Sequence, residues 1–201
     1  MTGIKFCGLR REEDILTANE LRPDYIGFVF AEKSRRAVTR ETAARLRALL
    51  RDDIPAVGVF VDAQPETVAF LLEEGIINLA QLHGREDAEY IARLRDLSDK
   101  PVIQAFRIRS SGDVKRAEKS SADYVLLDAG AGDGKTFEWE LAESVARPCF
   151  LAGGLTPENA GEAVERLHPF ALDVSSGIET DGVKDPEKMR AFMRAVRRRE
   201  E

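Results

Sequence analysis

Residues 149–177 read CFLAGGLTPENAGEAVERLHPFALDVSSG. Cys149–Ala152 is a short, strand-compatible apolar run that stops at Gly153-Gly154. Pro157–Leu167 has helix-compatible spacing behind the start signal Thr156-Pro157 with Asn159, because proline suits a first helical turn. Phe170–Val174 is a second β-rich run, and it stops at Ser175-Ser176-Gly177. Strand, helix and strand in that order predict two parallel strands joined by a crossover helix.

The same rhythm runs back to the N-terminus. Further β-rich runs are Ile4–Cys7, Tyr25–Phe30, Ala56–Val61, Asn78–Leu82, Val102–Ile108 and Tyr124–Leu127. Helices are predicted over Glu12–Leu21, Arg40–Leu50, Pro65–Glu74, Glu86–Leu97, Gly112–Lys119, Trp139–Ser144 and Pro186–Arg198, besides Pro157–Leu167. Thr39, Asp185-Pro186 and Gly75 punctuate these boundaries. Eight strand–helix units predict an α/β fold, a closed (β/α)8 TIM barrel forming a single compact domain over residues 1–201. By count alone an open doubly wound sheet is the alternative. A barrel usually takes ~250 residues, so 201 leave little room for extra loops or a second domain.

Composition narrows the function. Hydrophobic residues are 43% and charged residues 33% of the chain, which suits a soluble globular protein and excludes a disordered one. The net charge of -6 and the lack of a basic stripe with aromatics argue against a nucleic-acid partner. Arg194, Arg197, Arg198 and Arg199 read as a solvated last helical turn complementing the helix dipole. No apolar run approaches the ~20 residues that span a bilayer, and no signal pattern opens the chain, so a cytoplasmic protein without a membrane partner is expected. Cys7 and Cys149 are expected as reduced thiols. His83 and His168 are too few and too scattered for a metal site.

In a barrel the strand ends that lead into the helices build the active site. Those exits carry Lys5-Phe6-Cys7-Gly8, Lys33-Ser34-Arg35-Arg36, Gln81-Leu82-His83-Gly84 and Asp128 followed by a glycine-rich loop. At the last two exits, Gly153-Gly154 and Ser175-Ser176-Gly177 suit main-chain N–H groups approaching a phosphate. One glycine pair alone reads as an ordinary turn; two such loops on neighbouring exits read as an anion cradle. The cations at the first two exits suit an anionic substrate, although Lys33 and Arg35 also fit a solvated loop.

The sequence resembles the phosphoribosylanthranilate isomerase family of tryptophan biosynthesis nearly end to end. The likeness is carried by Lys5-Phe6-Cys7-Gly8, Asp24–Phe30 with Lys33-Ser34-Arg35-Arg36, Val57–Val61 and Gln81-Leu82-His83-Gly84. It continues through Leu126-Leu127-Asp128, Gly134–Trp139, Leu151–Asn159, Asp173–Glu179 and Gly182–Pro186. The resemblance implies that Cys7 is the general base, Asp128 the general acid, and Arg36 a residue that helps hold a small phosphorylated substrate; His83 reads as a supporting substrate contact at most, or as an ordinary hydrogen-bonded polar residue. The sixth loop departs from the family pattern, with Ala131-Gly132-Asp133-Gly134 and Glu138 in a shorter segment. Asp133 there places a second carboxylate near the acid in sequence, which would raise the pKa of Asp128 if the two approach.

The implied reaction is an Amadori rearrangement. An acid protonates the furanose oxygen, the ring opens to an iminium, and a base removes the neighbouring C–H proton. The iminium is its own electron sink, so the resemblance implies no cofactor. Taken alone, Cys7 fits a core thiol and Asp128 a turn-forming residue; their places at exits one and six favour catalysis. Cys149, at the entry end of its strand, reads as core. A metal-dependent epimerase would need clustered His and Asp ligands, and the histidine-pathway isomerase would have Asp in place of Cys7. A silent phosphate-binding barrel would have lost the acid or the base. A monomer or homodimer is expected.

Overall fold

The computed structural model describes residues 1–128 and 139–198, with the backbone alone at Glu140. The eight barrel strands are β1 (Gly3–Cys7), β2 (Tyr25–Val29), β3 (Ala56–Phe60), β4 (Leu79–Leu82), β5 (Val102–Arg107), β6 (Tyr124–Asp128), β7 (Cys149–Ala152) and β8 (Ala171–Val174). They pair in parallel in sequence order, and β1 closes on β8 with Lys5 opposite Asp173 and Phe6 opposite Val174. The barrel closes, so the open doubly wound sheet does not form. The helices are α1 (Glu12–Leu21), α2 (Arg40–Leu49), α3 (Pro65–Glu73), α4 (Ala88–Arg95), α5 (Ser111–Glu118), α6 (Trp139–Ala142), α7 (Ala160–Leu167) and α8 (Pro186–Arg197).

Strand alternation sorts the side chains into two layers. Ile4 and Phe6 of β1 face the helices, where Phe6 meets Phe192 of α8 edge to face at 6.4 Å. Inside the barrel, Val57, Leu79, Ile103, Leu126, Phe150 and Ala171 form a separate apolar plug. Tyr25 and Tyr124 pack edge-on to Phe150 at 5.4 and 5.8 Å. Above the plug, at the next inward positions, come Lys5, Gln81 and Asp173, none more than 7% exposed. Two residues further on stand Cys7, His83 and Ser175, at the exit ends. The polar inner layer is thus set by strand period and register together.

Two predicted helix starts are corrected. The segment 157–159 is a turn, and α7 begins at Ala160. Asn159 Oδ1 accepts from the Thr156 N–H at 2.8 Å while its Nδ2 donates to the Gly154 carbonyl at 2.9 Å, so Asn159 ties down the glycine loop. Glu86 likewise lies outside α4. Its buried carboxylate accepts from the N–H groups of Asp62 and Gly84, both at 2.7 Å, and Asp87 caps the helix by accepting from Tyr90 N–H at 2.9 Å. After β8, where the sequence offers only a motif, the chain makes a 3-10 turn over Ser176–Ile178 and a hairpin of β9 (Glu179–Thr180) and β10 (Val183–Lys184). Asp181 and Gly182, both with positive φ, form its tip. The expected approach of Asp133 to Asp128 lies outside the described residues.

Candidate active site

Exits one, two, three, four, six, seven and eight open on one cavity of about 250 Å³, lined by Cys7, Arg36, Val59, His83, Asp128, Gly153, Gly154 and Ser175 among others. It brings together every site residue expected from sequence except Gly177. A Cβ at Gly177 would overlap the Leu155 carbonyl oxygen, so this glycine lets the eighth loop pack on the seventh, behind the cavity. Gly153 and Gly154, which line the cavity, have φ of +92° and +64°, a backbone that L side chains rarely adopt. Ser175 is anchored from both sides: its Oγ donates to the Cys7 carbonyl at 3.1 Å, and Lys184 Nζ donates to its carbonyl at 2.9 Å.

Cys7 is a free, buried thiol. It pairs in register with Gly27 of β2, where a Cβ would stand 2.9 Å from Sγ, so glycine is required for the thiol to fit. Burial pushes the Cys7 pKa up and the Asp173 carboxylate adds to this, while Lys5 and Lys184 pull it back. Lys5 is fully enclosed, and burial works to lower its pKa, yet the value is raised because the Asp173 carboxylate outweighs that effect, with a smaller contribution from Cys7 once it ionises. Its ammonium donates to Asp173 Oδ2 and to Gln81 Oε1, both at 2.7 Å. Asp173 Oδ1 is buried without a hydrogen-bond partner among the described residues, an acceptor open to a donor brought in by a ligand. Cys149, half-buried at the far end of β7, has its pKa pushed up to about 11 by burial, as suits a packing thiol.

Arg36 does not wave in solvent. Its Nε and Nη2 donate to Glu179 at 2.6 and 2.7 Å, and Lys184 Nζ donates to the same carboxylate at 2.7 Å. Arg35 reaches Glu179 as well, at 3.0 Å. Burial works to raise the Glu179 pKa, but Arg36 and Lys184 hold it at about 2. His83 presents Nε2 to Asp128 Oδ2 at 3.2 Å and Nδ1 to Gln81 Nε2 at 3.1 Å. Gln81, Asp173, Glu179 and Lys184 are site residues that the sequence does not single out. A signal was there: Lys5, Gln81 and Asp173 interrupt apolar strands at positions two residues before, or within, the exits, where an inward charged group needs a partner.

A closed parallel barrel with a thiol, a carboxylate and two anion-ready loops around one mouth defines a barrel enzyme of the phosphate-handling kind. The family model for N-(5′-phosphoribosyl)anthranilate isomerase matches residues 4–195. The enzyme of that name from Endomicrobium trichonymphae is 44% identical, covering 98% of this chain and 99% of its own. That from Acetivibrio thermocellus is 42% identical over 98% and 96%. The crystal structure of the Thermotoga maritima enzyme superposes with a TM-score of 0.90 at 35% identity, over 98% and 99% of the chains. A second, with TM-score 0.88 and 34% identity over the same shares, holds reduced 1-(o-carboxyphenylamino)-1-deoxyribulose 5-phosphate. This chain belongs to the N-(5′-phosphoribosyl)anthranilate isomerase family.

Proposed function

We infer that this chain is an isomerase that converts N-(5′-phosphoribosyl)anthranilate to 1-(2-carboxyphenylamino)-1-deoxyribulose 5-phosphate in tryptophan biosynthesis. The observation that carries the reading is the single cavity shared by Cys7, Asp128 and the loops at Gly153-Gly154 and Ser175-Ser176. Phosphate sits on the N–H groups of those loops. The guanidinium of Arg36 has one edge taken by Glu179, and its remaining N–H groups serve an anionic group of the substrate.

Asp128 gives its proton to the furanose oxygen as the C1–O bond breaks, with the bonding pair passing to oxygen and the nitrogen lone pair forming the iminium. Cys7 then takes the C2 proton, the C–H electrons move into C1–C2, and the enolamine tautomerises to the ketose amine. A thiolate in this buried site is scarce at neutral pH and correspondingly strong, and the iminium charge arriving beside Sγ favours it. This chemistry draws on no metal or organic cofactor.

The chain works as one barrel domain in the cytoplasm, as a monomer or homodimer, with a small phosphorylated substrate and no nucleic-acid or membrane partner. No helix among the described residues is long and apolar enough to cross a membrane, and the Thermotoga maritima relative is described as dimeric. The test is complementation of a tryptophan auxotroph lacking this isomerase, with a histidine-pathway auxotroph in parallel. Growth of the first is expected. Failure there, with the protein expressed and folded, would leave a barrel that only binds phosphorylated ligands.

A further inference from the structure

Four side chains form a continuous chain of hydrogen bonds from the interior of the barrel to the acid: Lys5 Nζ to Gln81 Oε1 at 2.7 Å, Gln81 Nε2 to His83 Nδ1 at 3.1 Å, and His83 Nε2 to Asp128 Oδ2 at 3.2 Å. Its direction follows from donor chemistry. An ammonium only donates, so the Gln81 atom facing Lys5 is the carbonyl oxygen. The amide NH2 therefore faces His83, and because it too only donates, Nδ1 of His83 is an unprotonated acceptor. The single ring proton then sits on Nε2 and points at Asp128. The reversed amide would set two donors against each other at 2.7 Å, and an imidazolium would do the same at Nδ1. Gln81 is 2% exposed and Lys5 fully buried, so water cannot relieve the first clash, and the second would leave a buried Gln81 N–H facing a donor.

We propose that Lys5 and Gln81 are positioning residues that lock His83 in its neutral Nε2–H tautomer, so that His83 donates to Asp128 Oδ2 and the acid proton is carried on Oδ1. This rests on the reading of Asp128 as the general acid. When that proton leaves for the ring oxygen, the carboxylate left behind keeps the His83 N–H on Oδ2, and this bond strengthens as the charge develops. Among the described residues, Lys5 and Asp173 stand at the buried end of the relay beside the Cys7 thiol, with Lys184 acting on that thiol, and Arg36 lines the same cavity as Asp128 at its mouth. His83 is thereby a partner of the acid rather than a hand on the substrate.

The chain has only two histidines, His83 and His168, so side-chain 15N NMR of histidine-labelled protein resolves each, with a His83→Asn spectrum for assignment. Without substrate at pH 7, His83 is expected to show a protonated Nε2 and an unprotonated Nδ1. In Gln81→Glu the new carboxylate accepts from Lys5 and from Nδ1–H, the tautomer reverses, and kcat is expected to fall about 10- to 100-fold with KM within about 3-fold. Gln81→Met, which removes the bond without adding charge, is expected to show mixed tautomers and a smaller loss of kcat. A protonated Nδ1 in the unsubstituted protein overturns the proposal whatever the variants do. So does a reversed tautomer in Gln81→Glu that leaves kcat unchanged. The NMR readout needs no turnover, so a failed relay is distinguishable from a failed acid, which Asp128→Asn tests separately.

Discussion

The Glu179 side chain, only 4% exposed, receives both Nε and Nη2 of Arg36, at 2.6 and 2.7 Å. The pair ties the loop after β2 to the hairpin after β8, and Lys184 shares the same carboxylate. Burying a carboxylate is costly by itself, and here three cations offset that cost.

The first expected outcome concerns acid stability. A carboxylate whose folded pKa lies at about 2, below its unfolded value, contributes stability that is full above the unfolded value and lost as pH falls toward 2. Glu179→Gln should remove on the order of 3 kcal/mol at pH 7 and less as the pH drops. Urea titrations at pH 7 and pH 3 check this; an equal difference at both pH values would refute the ion cluster as its source.

Arg36→Lys keeps the charge but not the fork. With one amine to divide between Glu179 and the substrate, KM should rise about tenfold while kcat changes less. Steady-state kinetics decide the matter, and a loss confined to kcat would show that Arg36 acts on the transition state instead.

Cys7→Ala and Asp128→Asn should each lower kcat by about 10²- to 10⁴-fold, because each removes one proton transfer. Affinity for a phosphorylated product analogue should hold in both, since the loops at Gly153-Gly154 and Ser175-Ser176 are untouched. Calorimetric titration alongside the kinetics separates the two effects. Full turnover in either variant would remove that residue from its role.

Burial and Asp173 raise the Cys7 thiol, so kcat/KM should keep climbing with pH beyond the ordinary thiol value of ~8.5. Asp173→Asn removes the negative neighbour and should move that limb toward lower pH. A limb that stays put in Asp173→Asn would mean that burial alone sets the thiol.

Gly27→Ala would place a Cβ 2.9 Å from Cys7 Sγ. Neighbouring strands cannot part without breaking their pairing, so the thiol must move; kcat should fall about tenfold or more with the fold retained, because small misplacements of a reacting group are expensive. Near-UV circular dichroism confirms the fold while kinetics read the loss. Unchanged kcat would show that Cys7 has room to shift.

Most of the architecture was legible in the sequence, and so was the placing of Cys7 and Asp128 at exits that share one cavity. The strand–helix rhythm needs only local periodicity, and Cys7, Asp128 and the two loops stand at strand ends, where a barrel gathers its chemistry. The misread helix starts, at Glu86 and Pro157, failed for a common reason. Glu86 and Asn159 spend their side chains on loop N–H and carbonyl groups contributed by neighbouring segments, contacts that helical spacing does not register.

By itself the sequence determined which segments become strands and helices and how they alternate along the chain, because side-chain periodicity is a local property of the backbone. Only the tertiary structure decided who meets whom. Lys5 and Asp173 lie 168 residues apart and become neighbours when β1 closes on β8. Arg36 and Glu179, 143 residues apart, meet because two loops fold over one mouth. Lys5, Gln81, His83 and Asp128 come from three strands and their exits, and their order of donors exists only in the closed barrel, where the enclosed ammonium of Lys5 must find its acceptors within the protein.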